Sequence, residues 1–120
     1  MSDAARSGRL AGERYERWKA GRRLEAQGYQ VDHRSGNGQP DIIATDPNGR
    51  VSVYSCKALY LYRRTTVSLG EIMPELREAV DRHADLVLSV FDLKAGTELP
   101  DMIIPTNHLP KAITVLPQTP

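Results

Sequence analysis

The chain has 120 residues, of which 26% are charged and 40% hydrophobic, a composition typical of one globular domain with a single core. Its one cysteine, Cys56, excludes an intramolecular disulfide framework, a four-cysteine zinc site and a cysteine-ligated iron–sulfur cluster, and it favours a reducing, cytoplasmic setting. No apolar run approaches the roughly 20 residues of a membrane span, and the polar N-terminus predicts no secretory leader.

The net charge of +1 conceals an uneven distribution. Residues 1–64 carry twelve Lys/Arg against seven Asp/Glu, whereas residues 65–101 carry three against eight. A basic segment of this kind can follow a phosphate backbone, although most charge runs are solvated faces. The arginines that we consider for DNA binding are Arg14, Arg17, Arg22, Arg23, Arg34, Arg63 and Arg64.

The N-terminal part predicts one long helix. Residues 1–8 are polar and expected to be frayed, and helix-favouring sequence runs from about Arg9 to Gln27, with Gly28 as a natural C-cap. Two internal glycines, Gly12 and Gly21, weaken this prediction. The expected apolar anchors are Leu10, Tyr15, Trp18 and Leu24.

Three strands are predicted next. An alternating strand over Tyr29–Arg34 and a flexible connector over Ser35–Gln39 lead into a hairpin. Its strands are Asp41–Thr45 and Val51–Ala58, and they are joined by strong turn chemistry at Asp46–Arg50.

The hairpin contains the first residues that suggest a function. Strand alternation places Ser55 and Lys57 on the same face as the apolar Val53. A lysine on such a face is costly unless an anion meets it, and Asp41 opens the partner strand within reach. An Asp and a Lys facing each other across a hairpin suggest a site for a metal ion and a phosphate.

The second half predicts a helix between strands. Ser68 and Glu71 have the spacing of a capping box, but Pro74 would then break the helix, so we expect a helix from about Met73 to His83, with Glu71 just ahead of it. Residues 59–68 remain unassigned. The expected strands are the central Asp85–Phe91, the short Met102–Ile104 and one candidate at Ala112–Leu116 in an irregular tail over residues 105–120. A helix between the third and fourth strands makes them parallel, which predicts an α/β sandwich around a mixed sheet.

Taken in order, these residues resemble the PD-(D/E)XK nuclease superfamily, and most of all the archaeal-type Holliday junction resolvases. The matching pieces are Gly12-Glu-Arg-Tyr-Glu16-Arg17, Ser35-Gly36 ahead of Pro40-Asp41-Ile42-Ile43-Ala44, and the hairpin that ends at Lys57. The resemblance covers about residues 10–91. It implies a restriction-endonuclease-like fold with the element order αβββαβ.

The resemblance also implies an activity. Such a protein would be a Mg²⁺-dependent (or Mn²⁺-dependent) DNA endonuclease, most like a structure-specific Holliday junction resolvase that acts on branched DNA as a homodimer. Glu16 and Asp41 would hold the metal, together with the main-chain carbonyl of Cys56. Lys57 would orient or activate the attacking water, and Ser35 resembles a serine near the resolvase site. An ion pair with a nearby arginine is the alternative role for Glu16, and Glu13 is its rival for the site.

One position departs from the family pattern. Ser55 stands where the pattern has an acid, two residues before Lys57. The fold is then either retained for binding DNA without cleavage, or the acid has moved, as in a branch of type II restriction endonucleases that has Ser-x-Lys and a Glu from the following helix. Thirteen residues separate Lys57 from Glu71, close to the spacing in that branch. We therefore predict Glu71 as the relocated metal ligand, with helix capping as its alternative role and a restriction-type endonuclease as a further functional alternative.

Overall fold

A mixed sheet with an α-helix on each face organises the chain. The computed structural model describes residues 3–34 and 38–115, apart from the side chains of residues 3–7 and 9. Within this part of the chain the elements are α1 (Asp3–Ala26), β1 (Gln30–His33), β2 (Ile42–Thr45), β3 (Val51–Leu59), β4 (Thr66–Ser68), a 3₁₀ helix (Leu69–Ile72), α2 (Met73–Arg82), β5 (Asp85–Asp92), β6 (Thr97–Glu98), β7 (Met102–Ile104) and β8 (Ala112–Thr114).

The main sheet combines antiparallel and parallel pairing. β1, β2 and β3 form an antiparallel meander, and β5 runs parallel to β3 along eight residue pairs, from Ser52 with Asp85 to Leu59 with Asp92. β6 and β7 both pair antiparallel with β5, while β4 and β8 form a separate two-stranded sheet. The predicted meander, the parallel fourth strand and the mixed sheet are confirmed.

The two helices cover opposite faces of β3. Val53 and Leu59 pack in a cluster with Leu76 and Ala79 of α2. The alternate β3 residues Tyr54 and Cys56 pack with Ala20 and Leu24 of α1. Each face of the sheet therefore has its own apolar core. No helix in the described part of the chain has a stretch of apolar residues that would let it cross a membrane.

α1 does not bury the face that the sequence predicts. It begins at Asp3 rather than near Arg9, and Leu10, Tyr15 and Trp18 are 42%, 44% and 58% exposed. The fourth predicted anchor, Leu24, is buried as expected, and it faces the sheet together with Gly12, Glu16, Ala20 and Gly21. Small residues decide the packing of this helix.

Gly12 shows why small residues are needed there. A Cβ atom at this position would lie 2.6 Å from Leu93 Cδ2 and 2.7 Å from Ala58 Cβ, both far inside van der Waals contact. The glycine thus lets the backbone of α1 approach β3 closely. The predicted C-cap is confirmed, because Gly28 has φ +89° and the N–H of Tyr29 donates to Leu24 O at 3.0 Å.

The start of α2 resolves the conflict between the capping signal and the proline. The carboxylate of Glu71 accepts hydrogen bonds from Ser68 N at 2.8 Å and from Ser68 Oγ at 3.1 Å, but this pair caps the short 3₁₀ helix. α2 then begins separately at Met73 with Pro74 in its first turn, as predicted.

Candidate metal and phosphate site

The site forms where the ladder between β2 and β3 ends. Ile42 and Tyr54 are the last pair of that ladder, and β3 continues beyond it along β5 as far as Leu59. Just past the ladder, Asp41 Oδ2 accepts a hydrogen bond from the backbone N–H of Cys56 at 2.7 Å. The carboxylate of Asp41 is thereby fixed against the free edge of β3, next to Lys57.

A second carboxylate, from α2, meets Asp41. Glu75 is buried in the first turn of α2, and its Oε2 accepts a hydrogen bond from Asp41 N at 3.2 Å. Burial raises the pKa of Glu75 to about 7, and the like charge of Asp41 acts in the same direction. The hydroxyl of Ser55 and the ammonium of Lys57 partly offset this effect. Glu75, Asp41, Ser55 and Lys57 therefore form one electrostatic cluster.

A small pocket opens beside this cluster. Its volume is about 160 Å³, and Asp41, Cys56 and Lys57 line it from the sheet side. One face of α1 supplies the rest of the lining: Leu10, Glu13, Arg14 and Arg17. Lys57 Nζ lies 3.9 Å from Glu13 Oε1, and the side chain of Lys57 is only 16% exposed. Two arginines and a lysine thus surround a space that a phosphate group can enter.

Glu16 does not line this pocket, although its carboxylate adds to the effect of burial and of Asp41 in raising the pKa of the neighbouring Cys56 thiol. Glu16 is fully buried, and its Oε2 accepts a hydrogen bond from Ser89 Oγ of β5. Burial and the neighbouring Glu98 carboxylate raise the pKa of Glu16 to about 8. The acid of α1 that reaches Lys57 is Glu13, one turn earlier. The structure thus brings the rival candidate, and not Glu16, to the pocket.

Glu71 is engaged in another network. Besides Ser68, its carboxylate binds Arg64, whose Nη1 donates to Glu71 Oε1 at 2.7 Å. Although partial burial acts in the opposite direction, the N–H of Ser68 and the Arg64 guanidinium lower the pKa of Glu71. The capping role considered for Glu71 is present in the structure, and the carboxylate beside Ser55 comes from Glu75.

The predicted DNA-binding arginines separate into groups. Arg14 and Arg17 line the pocket, and Arg22 is exposed on α1. Arg23 forms a two-pronged ion pair with Asp101, at 2.9 and 3.1 Å, and Arg34 pairs with Asp32 at 2.7 Å. The charges of the last two, and that of Arg64, are therefore met by neighbouring carboxylates. Arg63 lies over the Tyr62 ring at 5.5 Å, and Ser35 falls outside the described residues.

The donor set fits a hard divalent cation. Burial is the main cause of the raised pKa of Glu75, and the negative charge of Asp41 adds to it; a bound cation would relieve this repulsion between the two carboxylates. Among the side chains that the structure describes, no group of three or more His, Cys, Asp or Glu residues is arranged to hold a metal ion. Two carboxylates are nevertheless a normal protein contribution for Mg²⁺, which keeps several waters.

Sequence reasoning overlooked Glu75, although a signal for it exists. Ile72, Leu76 and Ala79 form the buried stripe of the second helical segment, and Glu75 lies three residues after the first and four before the last. A carboxylate in the middle of an apolar helical stripe is costly unless it has a partner. The position of Glu75 within the apolar face of the helix therefore points to a functional role for this residue. The sequence spacing from Lys57 points instead to Glu71.

Comparisons with protein-family models and with curated proteins identify no family for this chain. No protein-family model matches this sequence, and no curated protein matches it significantly.

Proposed function

We propose that the protein is a metal-dependent DNA endonuclease whose active site is formed by Asp41, Glu75 and Lys57. The observation that carries the proposal is that Asp41 and Lys57 line one pocket at the free edge of β3, while Glu75 accepts a hydrogen bond from the backbone of Asp41. Glu75 binds the backbone of Asp41, and Lys57 is close enough to lower the pKa of Glu75. Paired carboxylates beside a lysine are a suitable set for hydrolysing a phosphodiester.

Each group has a distinct role in this proposal. Asp41 and Glu75 would hold Mg²⁺ or Mn²⁺, which when bound supplies positive charge opposite the phosphate and favours ionisation of water. Lys57 orients the attacking water and stabilises negative charge on the phosphate. Arg14 and Arg17, at the pocket, bind the phosphate oxygens. Glu13 holds the ammonium of Lys57 in position, with 3.9 Å between Nζ and Oε1.

The element order supports a restriction-endonuclease-like fold. One helix, a three-stranded meander, a second helix and a strand parallel to β3 follow each other as in the αβββαβ scheme. Within that fold, the resemblance in residues 10–91 favours a Holliday junction resolvase that acts on branched DNA as a homodimer. In this assignment Glu75 takes the place that the family gives to an acid at Ser55.

Binding without cleavage is the second candidate. The observation that favours it is the lack of a cluster of three or more potential metal ligands among the described side chains. The same basic residues would then bind phosphates, and the buried Glu75 would serve only to hold Asp41 against β3.

A substrate and metal panel tests the proposal. The purified protein is incubated with four-way junction, duplex and single-stranded DNA, each in Mg²⁺, Mn²⁺ or EDTA. We expect cleavage that needs the divalent ion and is strongest on the junction. Binding without cleavage under every condition would support the second candidate, and the Asp41→Asn variant controls for a contaminating nuclease.

A further inference from the structure

The outer face of α1 carries an exposed aromatic pair. Trp18 is 58% exposed and Tyr15 is 44% exposed, and their ring centroids lie 5.9 Å apart. Tyr15 is fixed from below by an edge-to-face contact with Phe91 at 5.4 Å. Trp18 therefore packs against the Tyr15 ring, which Phe91 holds in place, while more than half of the Trp18 side chain is exposed to solvent. Two adjacent exposed rings held in this way form an apolar surface that a binding partner can cover.

Positive charge surrounds this pair. Arg14 and Arg22 are exposed and lie four residues before and four residues after Trp18, so the three side chains share one stripe of the helix. Lys19 Nζ lies 5.8 Å from the centre of the Tyr15 ring. Arg14 also lines the pocket beside Asp41 and Lys57. The stripe thus starts at the candidate site and continues along α1.

We propose that this stripe, formed by Arg14, Tyr15, Trp18 and Arg22, binds an unpaired segment of nucleic acid next to the point of cleavage. Bases stack on aromatic rings whatever their sequence, and the flanking arginines bind the phosphates on either side. The position relative to the cut rests on the proposed function, whereas the binding itself does not. The substrate class that follows is DNA with unpaired bases beside a duplex.

The charge of the stripe disfavours a second copy of this chain as the occupant. In an antiparallel contact of two α1 helices about a two-fold axis at Trp18, Arg14 of one copy would lie against Arg22 of the other. Two such like-charge contacts would oppose the burial of the rings. A nucleic acid, in contrast, would place negatively charged phosphates next to the same arginines.

Trp18 offers a direct readout because it is the only tryptophan of the chain. The protein is titrated in EDTA with an oligothymidylate of about fifteen nucleotides, long enough for a typical single-strand site. We expect quenching of the tryptophan emission, tighter binding of the single strand than of a duplex of equal length, and weaker binding at higher salt. Unchanged emission at saturating single strand would overturn the proposal, and so would emission that depends on protein concentration without DNA.

Variants are compared by anisotropy of a labelled oligonucleotide. Trp18→Ala should weaken binding roughly fivefold to a hundredfold, the usual range for losing one stacked base. Arg22→Gln should lower the log–log salt slope by about one unit. Ile103→Ala, which removes an apolar side chain 69% exposed on β7, is the matched control and should bind as wild type does.

Equal affinities of Trp18→Ala and wild type would overturn the proposal. If Trp18 is quenched but no divalent ion supports cleavage, the nuclease assignment fails and the stripe stands. If junction DNA is cut equally well by wild type and Trp18→Ala with unchanged affinity, the stripe fails and the nuclease assignment stands.

Discussion

Glu75 Oε2 accepts a hydrogen bond from the backbone N–H of Asp41 at 3.2 Å, which joins α2 to the residue just before β2. The same Asp41 binds the N–H of Cys56 through its side chain at 2.7 Å. Asp41 is therefore held from two sides, and its carboxylate cannot turn away from β3 without losing a charge-assisted bond. This double attachment holds Asp41 between Glu75 and β3, where Asp41 lines one pocket with Lys57.

The first prediction concerns pH and stability without metal. The pKa of Glu75 is raised from 4.5 to about 7 and that of Glu16 from 4.5 to about 8. Between these values the folded state binds more protons than the unfolded chain, so the free energy of unfolding falls as the pH rises from about 4.5 to about 8. In Glu75→Gln this fall in the free energy of unfolding should be smaller by about 1–3 kcal/mol, because each pKa unit corresponds to about 1.4 kcal/mol.

Thermal unfolding at a series of pH values in EDTA measures this effect. Glu78→Gln, on the same helix and paired with Arg82 at 3.6 Å, is the control and should keep the wild-type dependence. In Glu75→Gln the remaining decline should extend to about pH 8, where Glu16 loses its proton. Parallel curves for wild type and Glu75→Gln would show that Glu75 is not perturbed.

The second prediction concerns metal and stability. A cation that binds only the folded state raises the melting temperature, and under the proposed function the charged form of Glu75 would be the form that binds it. Mg²⁺ should therefore stabilise the wild type more at pH 8 than at pH 6. The increase should be lost in Glu75→Gln and in Asp41→Asn. Equal stabilisation of all three proteins would place the metal elsewhere or show non-specific binding.

The strands of the main sheet could be predicted from the sequence because their patterns are local. Turn chemistry at Asp46–Arg50 sets the hairpin, and the bond from Gly49 N to Asp46 O at 2.9 Å closes the turn. The run from Asp85 reads as a central strand because nearly every residue is apolar, and it is buried on both faces. β4 was not predicted because it ends a stretch of mixed aromatic and basic residues, and β6 was not predicted because its two residues are too few to show a pattern.

The site could be predicted only in part. Asp41 and Lys57 follow from strand alternation, whereas Glu75 depends on how α2 is rotated against the sheet. The face of α1 was predicted only at Leu24 for a related reason: the close packing of the rest of the helix depends on Gly12 and Gly21 and not on Leu10, Tyr15 or Trp18. A Cβ at Gly21 would lie 2.6 Å from the His33 ring. Such close approaches are tertiary facts that hydrophobicity along the chain does not reveal.

The third prediction tests the packing of α1. Gly12→Ala raises helix propensity by up to about 1 kcal/mol, but its Cβ would collide with Leu93 and Ala58, so we expect a net loss of about 1–3 kcal/mol in stability. Gly8→Ala is the matched control, since the described neighbour that its Cβ would meet is the end of the flexible Tyr60 side chain, with Oη at 2.8 Å. Chemical denaturation measures both. A stabilised Gly12→Ala would contradict the close packing of α1 on β3.

The fourth prediction concerns Asp41 and Lys57 in cleavage. Asp41→Asn retains the shape and an acceptor for Cys56 N but removes a charge, and Lys57→Ala removes the ammonium that would lie beside the phosphate under the proposed function. Each should lower the cleavage rate on the order of a hundredfold or more, as does the loss of one electrostatic stabiliser in other enzymes. Circular dichroism should show a retained fold, and Lys111→Ala, an exposed lysine, is the control. Undiminished cleavage by Asp41→Asn would place the active site elsewhere.

A comparison of Glu75 with Glu71 tests directly which of the two glutamates belongs to the active site. Glu75 lies beside Asp41 and Ser55, whereas Glu71 is bound to Ser68 and Arg64. The measurement is the rate of Mg²⁺-dependent cleavage of a four-way junction by Glu75→Gln and Glu71→Gln at equal folded fraction. We expect Glu75→Gln to lose at least about a hundredfold in rate. Glu71→Gln should cleave at a near-normal rate, with lower stability by about 1 kcal/mol from the lost cap. Full activity of Glu75→Gln would show that Glu75 is not part of the active site, and loss of activity in Glu71→Gln would assign the site to Glu71 instead.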